Sequence, residues 1–448
     1  MHIPSSSLRA ARKLVPLAIL TLSAAGAARA GSIEIFGAPA DAYSSLSSAG
    51  TWATSYNGDG ISILNADRST TIISPNSPTH GYGGSPSMSA DGRYVATVIG
   101  GSDGTSQAGV YDRNTASWNM LGSLNGAYVR SGDMKQSSVV TNISADGSTV
   151  MGSSAFSATP GAQTDRYHGT VWRNGQIYDV TGSSATAGSG RILSSNADGT
   201  VVVGYVNNND RDSSRIWTWN GNGYSSSPTP TATNPFTGAT GQHVQLDAVS
   251  ANGNWIAGGS SRNMGSNSYG GFGNAITFLQ PTLWNVATQT MTVIPYDHVV
   301  DTDLSNDVDG SKLRALANDV DKNAIAIIAG VTDEGLVFGS FTFCIDVHCN
   351  ISLSNQDTFV YSALTGQSVT FDSFMASQGV ALSPSQHVWD LFSVASDGSA
   401  VSGYLFDTAT NTTSSFILHI SAVPEPGSWA LLVLGLPMLL GLRQRRTR

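Results

Sequence analysis

Ser144-Ala-Asp-Gly-Ser-Thr-Val-Met-Gly152 decides how this chain is read, because the chain repeats it. Close copies are Asn196-Ala-Asp-Gly-Thr-Val-Val-Val-Gly204, Ser250-Ala-Asn-Gly-Asn-Trp-Ile-Ala-Gly258 and Ala395-Ser-Asp-Gly-Ser-Ala-Val-Ser-Gly403. Looser copies are Ser89-Ala-Asp-Gly-Arg-Tyr-Val95, Thr332-Asp-Glu-Gly-Leu-Val-Phe-Gly339 and Ser47-Ser-Ala-Gly-Thr-Trp-Ala53. A glycine at 50, 92, 147, 199, 253, 335 and 398 marks seven units. Asp-Gly or Asn-Gly between two apolar runs is a hairpin signal, and it predicts type I′ turns with positive φ at both central residues. The second glycine, five residues on, points to crowded backbones at a strand end.

A second hairpin follows in most units and begins with an aromatic residue, as in Val171-Trp172-Arg-Asn-Gly-Gln-Ile177-Tyr178 and Val360-Tyr361-Ser-Ala-Leu-Thr-Gly-Gln-Ser-Val369. Each unit is therefore four antiparallel strands, and residues 31–422 divided by seven give about 56 residues per unit, a little above ordinary propeller blades. The last unit lacks a fourth strand, and the chain begins with an orphan, Ser32-Ile33-Glu34-Ile35-Phe36. The expected fold is all-β: a seven-bladed β-propeller of four-stranded antiparallel blades, with strand 32–36 closing the last blade and leaving no long edge.

Composition agrees with strands and turns. Charged residues are only 12% of the chain, glycine numbers 49, and glutamate occurs only at 34, 334 and 425. A helical bundle is excluded, and 40% apolar residues exclude a disordered acidic chain.

Both ends stand outside this pattern. Residues 1–30 carry Arg9, Arg12 and Lys13, an apolar run, and Ala28-Arg29-Ala30, the layout of a secretory signal peptide and its helix. Residues 423–448 read Val423-Pro424-Glu425-Pro426-Gly427, an apolar run to Leu442, then Arg443, Arg445, Arg446 and Arg448. The run reaches only about 23 Å as a helix, against roughly 30 Å of hydrocarbon, so it dwells in the membrane without spanning it well. The arginines stay cytoplasmic. Each end takes four of the 22 basic residues, leaving 14 against 30 acids in residues 31–422, a net −16. Nucleic acid is not an expected partner of such a surface.

The three-part C-terminus, with Val423, Pro424, Glu425 and Pro426 as its signature, resembles the PEP-CTERM sorting signal of Gram-negative bacteria. That resemblance implies an exosortase as a partner, periplasmic tethering at the inner membrane through the C-terminal helix, and onward sorting to the cell surface or beyond, in hosts that make exopolysaccharide. The repeats resemble HAF-type extracellular repeats, whose members mostly have no assigned chemistry. The expected function is a non-enzymatic binding or structural role linked to extracellular polysaccharide, a biofilm matrix or another surface protein. The alternative is a glycan-active hydrolase or lyase using Asp residues at the channel mouth. Buried carboxylates near the axis would favour the enzyme, and a channel of Ser, Thr and apolar side chains the binder.

Several residues are candidates for chemistry. Long segments at 206–215, 224–243, 259–281, 295–322 and 371–387 read as loops on one face, where binding is expected. Tyr82, Asp210, Arg211, Asp212, Tyr269, Phe272, Tyr296 and His298 suit sugar stacking and hydrogen bonding, with plain solvated loop as the competing reading. Asp301, Asp303, Asp307 and Asp309 concentrate oxygen ligands of the kind that hold Ca²⁺, against an acidic surface loop. No other cofactor is expected. Cys344 and Cys349, close together in an exported chain, are expected to form a local disulfide. Gly100-Gly-Ser102-Asp-Gly104 matches a nucleophile elbow as a string, but no helix is expected after it.

Overall fold

The computed structural model describes residues 31–36, 44–48, 50–54, 60–74, 86–100, 104–131, 134–164, 166–182, 190–206, 214–227, 232–233, 240–241, 244–261, 279–294, 324–343 and 357–420. The leader 1–30 and the segment 423–448, with the helices expected there, lie outside these residues. Among the described residues no helix is long and apolar enough to cross a membrane.

Twenty-eight of the 32 described strands form seven four-stranded antiparallel blades; the others are two short pairs, Val129–Ser131 with Met134–Gln136 and Ala232–Thr233 with Thr240–Gly241. Blade 1 comprises Ser44–Leu46, Trp52–Thr54, Ile61–Leu64 and Thr70–Ile73. Blade 2 comprises Ser87–Met88, Tyr94–Gly100, Thr105–Asp112 and Ser117–Met120, and blade 3 Ser138–Ile143, Thr149–Ala155, Tyr167–Arg173 and Gln176–Asp179. Blade 4 is Arg191–Ser195, Val201–Tyr205, Ser214–Trp219 and Tyr224–Ser227, and blade 5 Val244–Val249, Trp255–Ser261, Leu279–Asn285 and Thr290–Val293. Blade 6 is Ala324–Val331, Leu336–Phe343, Asp357–Ser362 and Gln367–Thr370. Blade 7 takes Gln386–Val394, Ala400–Asp407 and Thr412–His419, and its outer strand is Ser32–Phe36, antiparallel to the third with Ile33 opposite Leu418 and Ile35 opposite Phe416.

The first strand of every blade touches the first strand of the next, and that of blade 7 touches that of blade 1, so the wheel is closed. The core is correspondingly divided. Each of seven apolar clusters fills the space between two consecutive blades, such as Met151, Val171, Ile192, Val202 and Trp217 between blades 3 and 4. A blade buries neither face alone; burial against both neighbours is what drives closure.

The turn chemistry differs from the type I′ expectation. All seven marker glycines have φ between 68° and 76°, but the Asp or Asn before them does not have positive φ. In the first copy Gly147 N donates to Ser144 O (2.9 Å) and Ser144 N to Thr149 O (2.8 Å), a four-residue loop built on a type I turn. The aspartate is selected by hydrogen bonding. Asp146 accepts from Ser148 N (2.9 Å) and Ser144 Oγ (2.7 Å), while Ser144 Oγ accepts from Thr149 N (3.0 Å). Ser89 with Asp91, and Ser250 with Asn252, repeat the arrangement. A turn with two adjacent positive-φ residues does occur in the outer hairpin of blade 3, at Asn174 (φ 51°) and Gly175 (φ 74°).

The second glycine has a cause that pattern alone hides. In blades 3 to 7 the register of the inner strand shifts around the residue six before the marker glycine: Thr141, Leu193, Asp247, Ala329 and Phe392. Such a bulge bends the strand. A Cβ on Gly152, Gly204, Gly258 or Gly403 would then overlap the carbonyl oxygen of Val139, Arg191, Gln245 or Asp390.

The segment 371–387, expected to be loop, contains helix α1, Phe371–Ser377. Thr370 caps it, its hydroxyl accepting from Ser373 N (3.2 Å), and Phe371 and Met375, one turn apart, are buried against blade 7.

Candidate functional site

The inner strands of all seven blades converge on a cavity of about 270 Å³ on the axis, beside the ring of Asp-Gly turns. The residue two before the marker glycine faces it in five blades, as Ala90, Ala145, Ala197, Ala251 and Ser396. Only small side chains leave space where seven chains meet. The bulge residues Thr141, Ala329 and Phe392 also line it, and so does Pro86, whose missing N–H suits a position outside the ladder.

Among the described residues the lining carries no charge. Its polar groups are Ser45, Ser87, Thr141, Asn142, Ser194, Ser195, Asn196, Ser393 and Ser396, set among Leu46, Met88, Ile143, Val249, Val331 and Phe392. Several hydroxyls staple adjacent blades. Ser45 Oγ accepts from Met88 N (3.0 Å), Ser393 Oγ from Leu46 N (3.2 Å), and Ser87 Oγ accepts from Ile143 N (3.0 Å) while donating to Asn142 Oδ1 (2.7 Å). These bonds hold the polar groups in place. A hydroxyl that only accepts keeps a proton to donate, and Asn142 keeps its Nδ2. The chemistry offered is short neutral donors and acceptors around an apolar floor, which suits a neutral polyhydroxylated group.

The turns behind the cavity are tied blade to blade. Ala90 N donates to Ala145 O (2.7 Å), Asp146 N to Ala197 O (3.0 Å), Ala197 N to Ala251 O (2.9 Å), and Asn252 N to Asp333 Oδ1 (2.7 Å). Gly147 packs so closely on the Tyr94 ring that a Cβ would overlap it, so this glycine is required by its neighbour as well as by its φ.

Tyr82, Asp210, Arg211, Asp212, Tyr269, Phe272, Tyr296 and His298 are outside the described residues, as are Asp301, Asp303, Asp307 and Asp309, the pair Cys344 and Cys349, and Val423, Pro424, Glu425 and Pro426. Among the described residues no group of three or more His, Cys, Asp or Glu is placed to hold a metal ion. The lining residues went unnoticed because each unit contributes only a few small side chains. The signal available was the small residue two before six of the seven marker glycines, Asp333 being the exception.

Two carboxylates lie away from the cavity lining, beside the packing of blades 6 and 7: Asp390 is half-buried, and Asp372 is exposed by area yet partly desolvated. Burial pushes Asp390 above the usual carboxylate range, although Ser340 Oγ (2.7 Å) and Leu391 N (2.9 Å) donate to it. Burial does the same to Asp372, which accepts from Val388 N (3.2 Å). In blade 3, His168 is buried with Nδ1 2.8 Å from Asp179 Oδ2 and its ring stacked on Phe156 at 4.2 Å.

No protein-family model matches the chain, and no curated protein matches it. Among solved structures it is similar to a prolyl endopeptidase, at 11% identity and a TM-score of 0.46 over 88% of this chain and 51% of that one. It is also similar to the acylaminoacyl peptidase of Pyrococcus horikoshii, at 10% identity and a TM-score of 0.41 over 87% of this chain and 53% of that one. The chain spans about half the length of each.

Proposed function

We propose that this chain is an exported propeller that binds neutral sugar units of an extracellular polysaccharide at its axial cavity, in a non-enzymatic role. The observation carrying the reading is the uncharged lining of hydroxyl, amide and apolar side chains supplied by seven inner strands. A glycan-active enzyme working at the channel mouth needs a carboxylate there, and the cavity's lining supplies none. The leader-like residues 1–30 and the PEP-CTERM-like residues 423–448 support export and sorting by an exosortase.

Calorimetric titration of the full-length protein with neutral oligosaccharides tests the binding. Ala145→Leu and Ala251→Leu each place a larger side chain in the cavity from a different blade, and each is expected to weaken binding at least tenfold. A wild-type protein that binds no neutral oligosaccharide, or two folded variants that bind as it does, would remove the reading. Sorting is tested separately: deleting 423–448 should move the protein from the membrane fraction to the soluble fraction.

A further inference from the structure

The face that blade 7 turns toward blade 1 carries a row of aromatic side chains. On strand Ala400–Asp407, Val401 and Leu405 pack against blade 6 and Ala400 against blade 1, so alternation turns Tyr404 and Phe406 toward blade 1 as well. His387 lies directly opposite Phe406 on the inner strand, its ring 5.5 Å away. Trp389 and Phe392 sit at the two register shifts of that inner strand, and their ring contacts show which way they turn. Trp389 meets Phe406 at 4.9 Å, and Phe392 meets Tyr404 at 4.3 Å. Asp390, opposite Tyr404, is engaged by Ser340 of blade 6 instead.

All five aromatic side chains are half-buried, so each leaves part of its surface to a ligand. The buried centre between blades 7 and 1 is Leu46, Ala395, Ala400 and Ile417, which lie toward the Asp-Gly turns, and the aromatic row continues past it to the other end of the sheet. The rings stand edge to face, at 84° for Trp389 with Phe406 and 81° for Phe392 with Tyr404, which fixes their orientation before any ligand arrives. Phe392 also lines the axial cavity, so the row is continuous with it. A pyranose has a face of C–H bonds that the electron-rich face of an aromatic ring attracts, while its hydroxyls point to polar neighbours and water. Thr413, opposite Phe406 on the next strand, offers a half-buried hydroxyl on the same face.

We propose that His387, Trp389, Phe392, Tyr404 and Phe406 form an aromatic track that carries a neutral polysaccharide from the axial cavity along blade 7, so that the protein holds several consecutive sugar units of one chain. This rests on the neutral-sugar reading of the cavity and gives its ligand a length.

The test titrates the full-length protein with cellobiose, maltose, cellohexaose and maltohexaose. The tighter-binding hexasaccharide is expected to exceed its own disaccharide in affinity by about tenfold. Trp389→Ala and Phe406→Ala should each remove most of that gain and leave the affinity for the disaccharide unchanged, whereas Ala145→Leu in the cavity should weaken both lengths. Trp389→Phe should retain part of the gain. Equal affinity for the two lengths in the wild type overturns the proposal without any variant and leaves the cavity reading standing. A folded Trp389→Ala protein that keeps the gain also overturns it, as does one that loses affinity for both lengths alike, which would make the ring a structural residue. Wild-type protein that sediments as a dimer, and that Trp389→Ala renders monomeric, would assign the track to a second copy of this chain and overturn the proposal. Failure of all four sugars removes both this proposal and the cavity reading.

Discussion

The space between blades 6 and 7 and the space between blades 7 and 1 do the same job with different materials. The first is filled by Phe338, Phe371, Phe416, Val388, Leu391 and Leu405, with α1 packed over it. The second holds only Leu46, Ala395, Ala400 and Ile417 at its buried centre. Polar links supplement it: Leu46 N to Ser393 Oγ, Ser48 Oγ to Ser396 Oγ (3.2 Å), and Glu34 of blade 7, itself paired with His419 of the same blade, to Arg68 of blade 1. The seam between blades 7 and 1 therefore relies more on polar contacts, while the neighbouring wedge relies on apolar burial.

The comparison can be broken by mutation. Phe416→Ala in the wedge should cost about 3–5 kcal/mol by chemical denaturation, since a fully buried ring leaves a cavity between two rigid sheets. A like-for-like pair sharpens the contrast. Leu405→Ala in the wedge should fall near the upper end, about 4 kcal/mol, and Leu46→Ala at the seam near the lower, about 2 kcal/mol, because the thinner seam can relax. Equal losses would mean that the seam is packed as well as the wedge.

Backbone geometry supplies the next test. Gly403→Ala sets a Cβ against Asp390 O and the Phe416 ring, and should cost about 1–3 kcal/mol. Exposed Gly366→Ala, with open space around it, should cost less, limited to the strain of its φ of 67°. If the two glycine variants melt together, the bulge does not dictate the second glycine.

Acid should move the two regions in opposite directions. At the seam, burial tends to raise Glu34, but hydrogen bonds from Arg68 and His419 outweigh it and hold the carboxyl below its ordinary value. Its contribution is present above the ordinary carboxylate range and is lost as pH falls through the depressed value. Burial raises Asp372 and Asp390 at the wedge, so their cost appears as pH rises through the raised value and is relieved by acid. Hydrogen exchange from pH 7 to pH 3, corrected for intrinsic rates, should show strand 32–36 losing protection relative to strand 400–407. Glu34→Gln should flatten the seam's response while changing global stability by less than about 1 kcal/mol. A seam whose protection is independent of pH in the wild type would sink this part of the comparison.

Much of the wheel was legible because the marker glycines are a local requirement repeated seven times. Other local signals were misjudged. The aspartates read as positive-φ turn residues, yet they are selected by the hydrogen bonds Asp146 takes from Ser144 and Ser148. Thr370, Phe371 and Met375 had the cap and spacing of a helix, but one so short is hidden by a strand-rich context. The bulges were out of reach because an unpaired residue such as Thr141 or Leu193 has no side-chain signature. Their imprint was visible only indirectly, in Gly152 and Gly204.

By itself the sequence determined the repeat, the four-stranded unit and the unmatched strand at the beginning, because turn geometry and strand alternation are set by residues within a few positions of one another. Tertiary structure alone decided where a ligand fits. Ala145, Ala197 and Ala251 are about fifty residues apart, and what brings them around one axis is the burial of each blade against its neighbours.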